Sequence, residues 1–135
     1  MDSLDPADLD FSFPSEHRLH AAADFSLVFA ARRALRGEYF DLHYLAARPP
    51  VTPAVGSARI GLVVAKKLAR RAVQRNLLKR LAREAFRHAC STLPPYDLVL
   101  RLARPPGRDL AAEARRAWRA DIDQLFGKLA NLPRR

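Results

Sequence analysis

The segment from about Ala72 to Ser91 constrains this chain most. It lies between two strand-like runs, "RIGLVVA" (Arg59 to Ala65) and "YDLVLRLA" (Tyr96 to Ala103), and its own periodicity is helical. "LPP" ends it, because proline cannot continue a helix and restricts the residue before it. At about 100° per residue, Leu77, Leu78, Leu81, Ala82, Ala85, Phe86 and Ala89 fill one half of the helix surface. The other half carries Arg75, Asn76, Lys79, Arg80, Arg83 and Arg87. The apolar half must be buried, and the flanking strands supply a sheet to bury it against. A strand, a helix and a strand in this order form a βαβ unit with the two strands parallel.

The polar half is short of acids. Between Lys66 and Arg87 there are nine bases and one acid, Glu84. Arg75–Lys79, Lys79–Arg83 and Arg83–Arg87 stand four residues apart, where like charges destabilise a helix by about 0.2–0.5 kcal/mol per pair. A solvated helix normally mixes its charges, so this stripe implies a polyanionic partner. Lys66, Lys67, Arg70 and Arg71 extend it into the connector before the helix. The whole chain agrees: 24 Lys and Arg against 14 Asp and Glu give a formal charge of +10.

A membrane surface fits poorly, because the apolar half is committed to the sheet, and no run approaches the roughly 18 apolar residues of a span. A helix reading base edges in duplex DNA would mix Asn, Gln and Arg, whereas this one suits backbone contact. No catalytic or metal-ligating set stands out. The stretch from Arg59 to Arg87 holds one acid and no His, and Asp109, Glu113, Asp121 and Asp123 read as helix-surface charges among arginines. Cys90 is alone, which excludes a disulfide framework.

Residues 1–16 hold five acids and no Lys or Arg, broken by Pro6 and Pro14, and read as an extension outside the fold. They lack a secretory signal pattern, so a cytoplasmic protein is expected. Residues 17–131 read as one domain. His17 to Arg33 is predicted helical, stopped by Gly37. Tyr39 to Ala46 is a strand with Phe40, Leu42 and Tyr44 on one face and Asp41 and His43 on the other. "ARPPVTPAVGSA" is a loop, and Asp109 to Leu129 is a last helix with Asp109 as its N-cap. The order α-β-β-α-β-α predicts an α+β domain, two layers with helices on a small mixed sheet.

"GLVVAKKLARRAVQRNLLKRLAREAFR" resembles the bacterial ribonuclease P protein subunit family, through Gly61, Leu62, Val64, Ala65, Lys66 and Lys67, then Ala72, Val73, Arg75, Asn76, Lys79, Arg80, Arg83, Glu84, Phe86 and Arg87. "RLHAAADFSLVF" is similar to the family's first helix at Arg18, Leu19, Phe25, Val28 and Phe29, and "YDLVLRLARP" to its third-strand segment. Leu77 departs from the family, which has arginine after the Arg–Asn pair. The resemblance implies a ribosomal-protein-like fold with a left-handed βαβ crossover, where the general rule gives a right-handed one. It implies a 1:1 partnership with a catalytic RNA that removes the 5′ leader of precursor tRNA using Mg²⁺ held by RNA and substrate. Lys66, Lys67, Arg70, Arg71, Arg75, Asn76, Lys79, Arg80, Arg83 and Arg87 would then bind RNA. Phe25, Phe29 and His43 would line a cleft for the single-stranded leader, where aromatic faces and cations give sequence-tolerant contact. The competing reading is a ribosomal-type RNA-binding protein without that cleft.

Overall fold

The computed structural model describes residues 8–10, 18–19, 21–46, 58–108 and 111–132. Phe11, Phe13, Asp109 and most of the proline-rich loop lie outside them. Five strands, β1 (Leu9–Asp10), β2 (Ala34–Arg36), β3 (Phe40–Leu45), β4 (Arg59–Val63) and β5 (Asp97–Leu102), form one mixed sheet in the order β1-β4-β5-β3-β2. The helices are α1 (Ala22–Ala30), α2 (Ala72–Ala89) and α3 (Ala112–Ala130). As predicted, β4 and β5 are parallel neighbours joined through α2; the other pairings are antiparallel.

Strand alternation sorts the side chains into two cores. Phe40, Leu42, Ile60, Leu62, Leu98, Leu100 and Leu102 point to one face, where α2 brings Leu78, Ala82, Ala85 and Phe86 and α3 brings Trp118, Ile122, Leu125, Phe126 and Leu129. Phe86 and Phe126 meet edge to face at 6.1 Å between α2 and α3. The opposite face carries Val63 and Val99, covered by Phe25 and Val28 of α1 together with Leu9 and Leu19. The sheet thus has helices on both faces. The two layers expected are the sheet with α2 and α3, and α1 adds a cover on the second face.

The N-terminal segment expected outside the fold contributes β1. Leu9 is buried, and the Val64 amide donates to the Asp8 carbonyl at 3.2 Å. Its apolar Leu9 has a core to enter, which the acidic composition of the segment obscures. The first helix is shorter than predicted. It starts where the Asp24 carboxylate accepts the Ala21 amide at 3.2 Å, and it stops well before Gly37. Arg32, at φ 55°, turns the chain through the left-handed region instead, into β2. The α3 N-cap position is held by Ala111 rather than by Asp109.

Asp121 is no surface charge. It is 5% exposed, and its carboxylate accepts the amides of Glu38, Tyr39 and Phe40 at 2.7, 2.9 and 3.0 Å. The Arg104 guanidinium binds the same turn from its carbonyl side, at Gly37 and Glu38. This clamp joins α3 to the β2–β3 hairpin. It also explains Gly37, because a Cβ there would collide with the Asp121 carboxylate.

Asp121→Ala is expected to destabilise the protein by about 2–4 kcal/mol, since it strips a charged acceptor from buried amides. Urea unfolding measures it. Gly37→Ala should also destabilise, and the two losses combined in a double mutant should be clearly less than additive; full additivity would mean the glycine is not there for the carboxylate.

Candidate nucleic-acid interface

On α2 the buried side consists of Gln74, Leu78, Ala82, Ala85 and Phe86. Arg71, Asn76, Arg80 and Arg87 are exposed, while Arg75, Lys79 and Arg83 are half-buried with their stems along the helix. Glu84 leans toward α3, where its carboxylate lies 3.8 Å from Arg119. The single acid of the stretch is thereby directed away from the cations. Arg75 differs from the rest of the predicted set: its Nη1 donates to the Ala69 and Arg70 carbonyls at 2.9 and 2.8 Å. It shapes the connector in addition to adding charge.

The connector before α2 forms one wall of a cleft. Lys67, Arg70 and Arg71 line it together with Arg108 from the segment after β5, over a floor of Leu68, Gln74 and Pro105. Gln74 ties the walls together, donating from Nε2 to the Gly107 carbonyl at 2.7 Å. Lys66 is exposed at the head of the connector. A second groove runs between α2 and α3, lined by Val73, Asn76, Leu77, Arg80, Arg83 and Arg115. Leu77, expected in the apolar arc, sits at its edge: it packs partly on the core and partly forms this groove. Arg108 and Arg115 complete the two depressions, yet no local pattern marks them. They are separate arginines brought to α2 by the fold.

The residues predicted for a leader cleft divide. Phe25 is fully buried, and its ring occupies the space where Gly61 would carry a side chain. It cannot offer a face to a base and serves as the bolt between α1 and the sheet. The i, i+4 spacing with Phe29 put both on one side of the helix, but not at one depth. Phe29 lies further out and meets the His43 ring edge to face at 4.6 Å. Strand register places His43 beside Val99, and the neighbouring row carries Arg36, Asp41 and Arg101 on the same face. Asp41 is held by Arg104 at 2.8 Å. The open part of this face therefore offers an aromatic edge, an imidazole and arginines.

His43 Nε2 is buried and meets no hydrogen-bond partner among the described residues. Burial first, and the Arg101 charge second, lower its pKa below 6.5, against an opposing pull from Asp41. The imidazole is neutral at neutral pH, and its Nε2 is closed off from solvent. Among the described residues no three His, Cys, Asp or Glu side chains converge as a metal site requires, and no helix is long and apolar enough to cross a membrane.

The sign for His43 follows from linkage. Folding favours its neutral form, so its contribution to stability is complete above 6.5 and is lost as pH falls through that value toward the lower folded pKa. An NMR titration of the ring proton is expected to give a midpoint below 6.5, raised by Arg101→Gln and lowered further by Asp41→Asn. A midpoint at or above the ordinary value would contradict the burial.

The chain matches the family model "Ribonuclease P" over residues 13–130. It is 52% identical over 125 residues to a ribonuclease P protein component of an Azoarcus species, covering 93% of this chain and 96% of the relative. It is 41% identical over 118 residues to that of Bordetella petrii, covering 87% and 95%. Among solved structures, the ribonuclease P protein of Thermotoga maritima, in complex with 1-(4-fluorophenyl)-2-thiourea, superposes with a TM-score of 0.63 at 27% identity, covering 86% of this chain and all of that one. The Staphylococcus aureus protein gives 0.65 at 23% identity, covering 91% and 98%, a likeness of fold. The family match covers α1 to α3 and every strand except β1, and with the basic helix, its flanking strands and the sheet order in place, the chain belongs to the bacterial ribonuclease P protein family.

Proposed function

We propose that this chain, as the protein component of a ribonuclease P, docks on the catalytic RNA in 1:1 ratio through α2 and its connector, and holds the 5′ leader of precursor tRNA against the α1 face of the sheet. The observation that carries this reading is the lining of two depressions along α2 by cations from four separate parts of the chain, the connector, α2, the segment after β5 and α3, with Glu84 paired to Arg119 instead. Lys66, Lys67, Arg70, Arg71, Lys79, Arg80, Arg83 and Arg87 contact phosphates, Asn76 adds a neutral donor, and Arg75 holds the connector in shape. Phosphate contact releases counterions and relieves the repulsion along α2.

On the other face Phe29 and His43 receive leader bases, with Arg36 and Arg101 close enough in register to meet the backbone. Phe25 acts from beneath, by fixing α1. The RNA subunit carries out phosphodiester hydrolysis with Mg²⁺ held by RNA and substrate; the side chains of this protein supply binding and orientation. Such a complex works in the cytoplasm, where precursor tRNA is made.

Three measurements test this. Cleavage of precursor tRNA by a bacterial ribonuclease P RNA at low Mg²⁺ should require the protein, and the protein alone should cleave nothing; no stimulation would reduce the chain to a general RNA binder. Arg80→Glu with Arg87→Glu should weaken assembly about 10- to 100-fold and flatten the plot of log K against log salt by about 2, with unfolding unchanged. Phe29→Ala should weaken binding of leader-bearing precursor about 5- to 20-fold more than that of mature tRNA, on the scale of one stacked base. Phe25→Ala should instead lower stability by about 3–5 kcal/mol.

A further inference from the structure

The groove between α2 and α3 mixes two chemistries in one depression. Its α2 wall has two rows. Val73 and Leu77 stand one turn apart and lie one above the other as an apolar strip, and Asn76, Arg80 and Arg83 form the polar row beside it. Arg115 faces them from α3. Val73 is 59% exposed, and it and Leu27 are the exposed large apolar side chains among the described residues. Among those residues no acid lines the groove. Arg119, one turn beyond Arg115, is taken up by Glu84 at 3.8 Å and Asp123 at 3.0 Å, whereas Arg80 and Arg115 pair with no acid among the described residues.

Phosphate accounts for half of this. It would satisfy the arginines, but it gains nothing from an apolar strip in their midst, and the exposure of that strip to water is unfavourable. A nucleobase uses both. It has apolar faces to lay on the strip, a polar edge to hydrogen-bond, and a ring on which a guanidinium plane stacks. We infer that the groove takes one unpaired nucleotide of the RNA. The base lies on Val73 and Leu77, with the Arg115 guanidinium against its other face. Asn76, the lining side chain that can both donate and accept, meets the base edge, and Arg80 and Arg83 hold the phosphate. The nucleotide must be unpaired, because a base stacked inside a duplex has no free face to offer. Room permits it, since the groove offers about 680 Å³, within the range of sites for one small ligand. The site rests on the RNA-docking reading above and deepens it: α3 joins the interface through Arg115, and part of the grip comes from apolar contact that salt does not screen.

Adenosine 5′-monophosphate and ribose 5-phosphate carry the same phosphate and differ by the base. In NMR titrations of the full chain without RNA, adenosine 5′-monophosphate should shift the Val73 and Leu77 methyl signals and bind at least about 5-fold more tightly than ribose 5-phosphate, the low end for one stacked base. Equal affinity, or shifts confined to other residues, overturns the base site. Val73→Ala should weaken assembly with a bacterial ribonuclease P RNA about 3- to 10-fold, through the apolar contact of the carbons removed, and leave the slope of log K against log salt unchanged. Arg115→Gln should weaken assembly and flatten that slope by about 1. Both side chains are exposed, so urea unfolding should be the same in both variants as in the native chain. Assembly indifferent to both, but weakened by Arg80→Glu with Arg87→Glu, overturns the nucleotide site and leaves the docking reading standing. Assembly indifferent to all four substitutions refutes the docking reading and, with it, the RNA as the source of the nucleotide.

Discussion

The pairing of β4 with β5 is the constraint on which the rest depends, and a buried ion pair fixes its register. Arg59 and Asp97 are Cα partners across the two strands, and the guanidinium meets the carboxylate through Nε at 2.9 Å and Nη2 at 2.6 Å. A slip of one residue would turn the slipped strand's charge to the opposite face and leave the two without each other, a penalty of several kcal/mol. The hydrogen bond to the Asp97 carboxylate in turn raises the Arg59 pKa, so the guanidinium stays charged. With that register set, α2 has to cross from the end of β4 to the start of β5. Its apolar half has one place to go, and its cations are left facing outward.

Repulsion along α2 is tolerated because the fold manages it locally. Arg75 spends its charge on two carbonyls of the connector, and Lys79 and Arg83 lie half-buried. The exposed end points of the stripe, Arg80 and Arg87, are seven residues apart, about two helical turns or 10 Å. The remaining cost of a few tenths of a kcal/mol per pair is small beside the burial of Leu78, Ala82, Ala85 and Phe86.

The sequence made the βαβ unit, the order of the main elements and the basic stripe legible, because each depends on a local period of apolar and polar residues. What it hid depends on contacts between distant positions. The clamp of Asp121 on the β2–β3 turn joins residues more than 80 apart, so that a buried anchor reads as one more acid among arginines. Phe25 and Phe29 share a helix face, and the Phe25 ring sinks into the sheet over Gly61, where a side chain would collide with it. β1 and β2 have two and three residues, too few to display a period. Arg108 and Arg115 complete the cation clusters from outside the motif.

The sheet divides the interior into two compartments with little in common. One holds α2 and α3 against Leu62, Leu98 and Leu100; the other holds α1 against Val63 and Val99. In evolutionary terms the two are separately editable. Substitutions around Phe29 and His43 can retune one surface while the packing beneath the basic helix stays as it was, and the reverse holds for Leu77 and its groove. A lineage can therefore reshape one surface without disturbing the packing that carries the other.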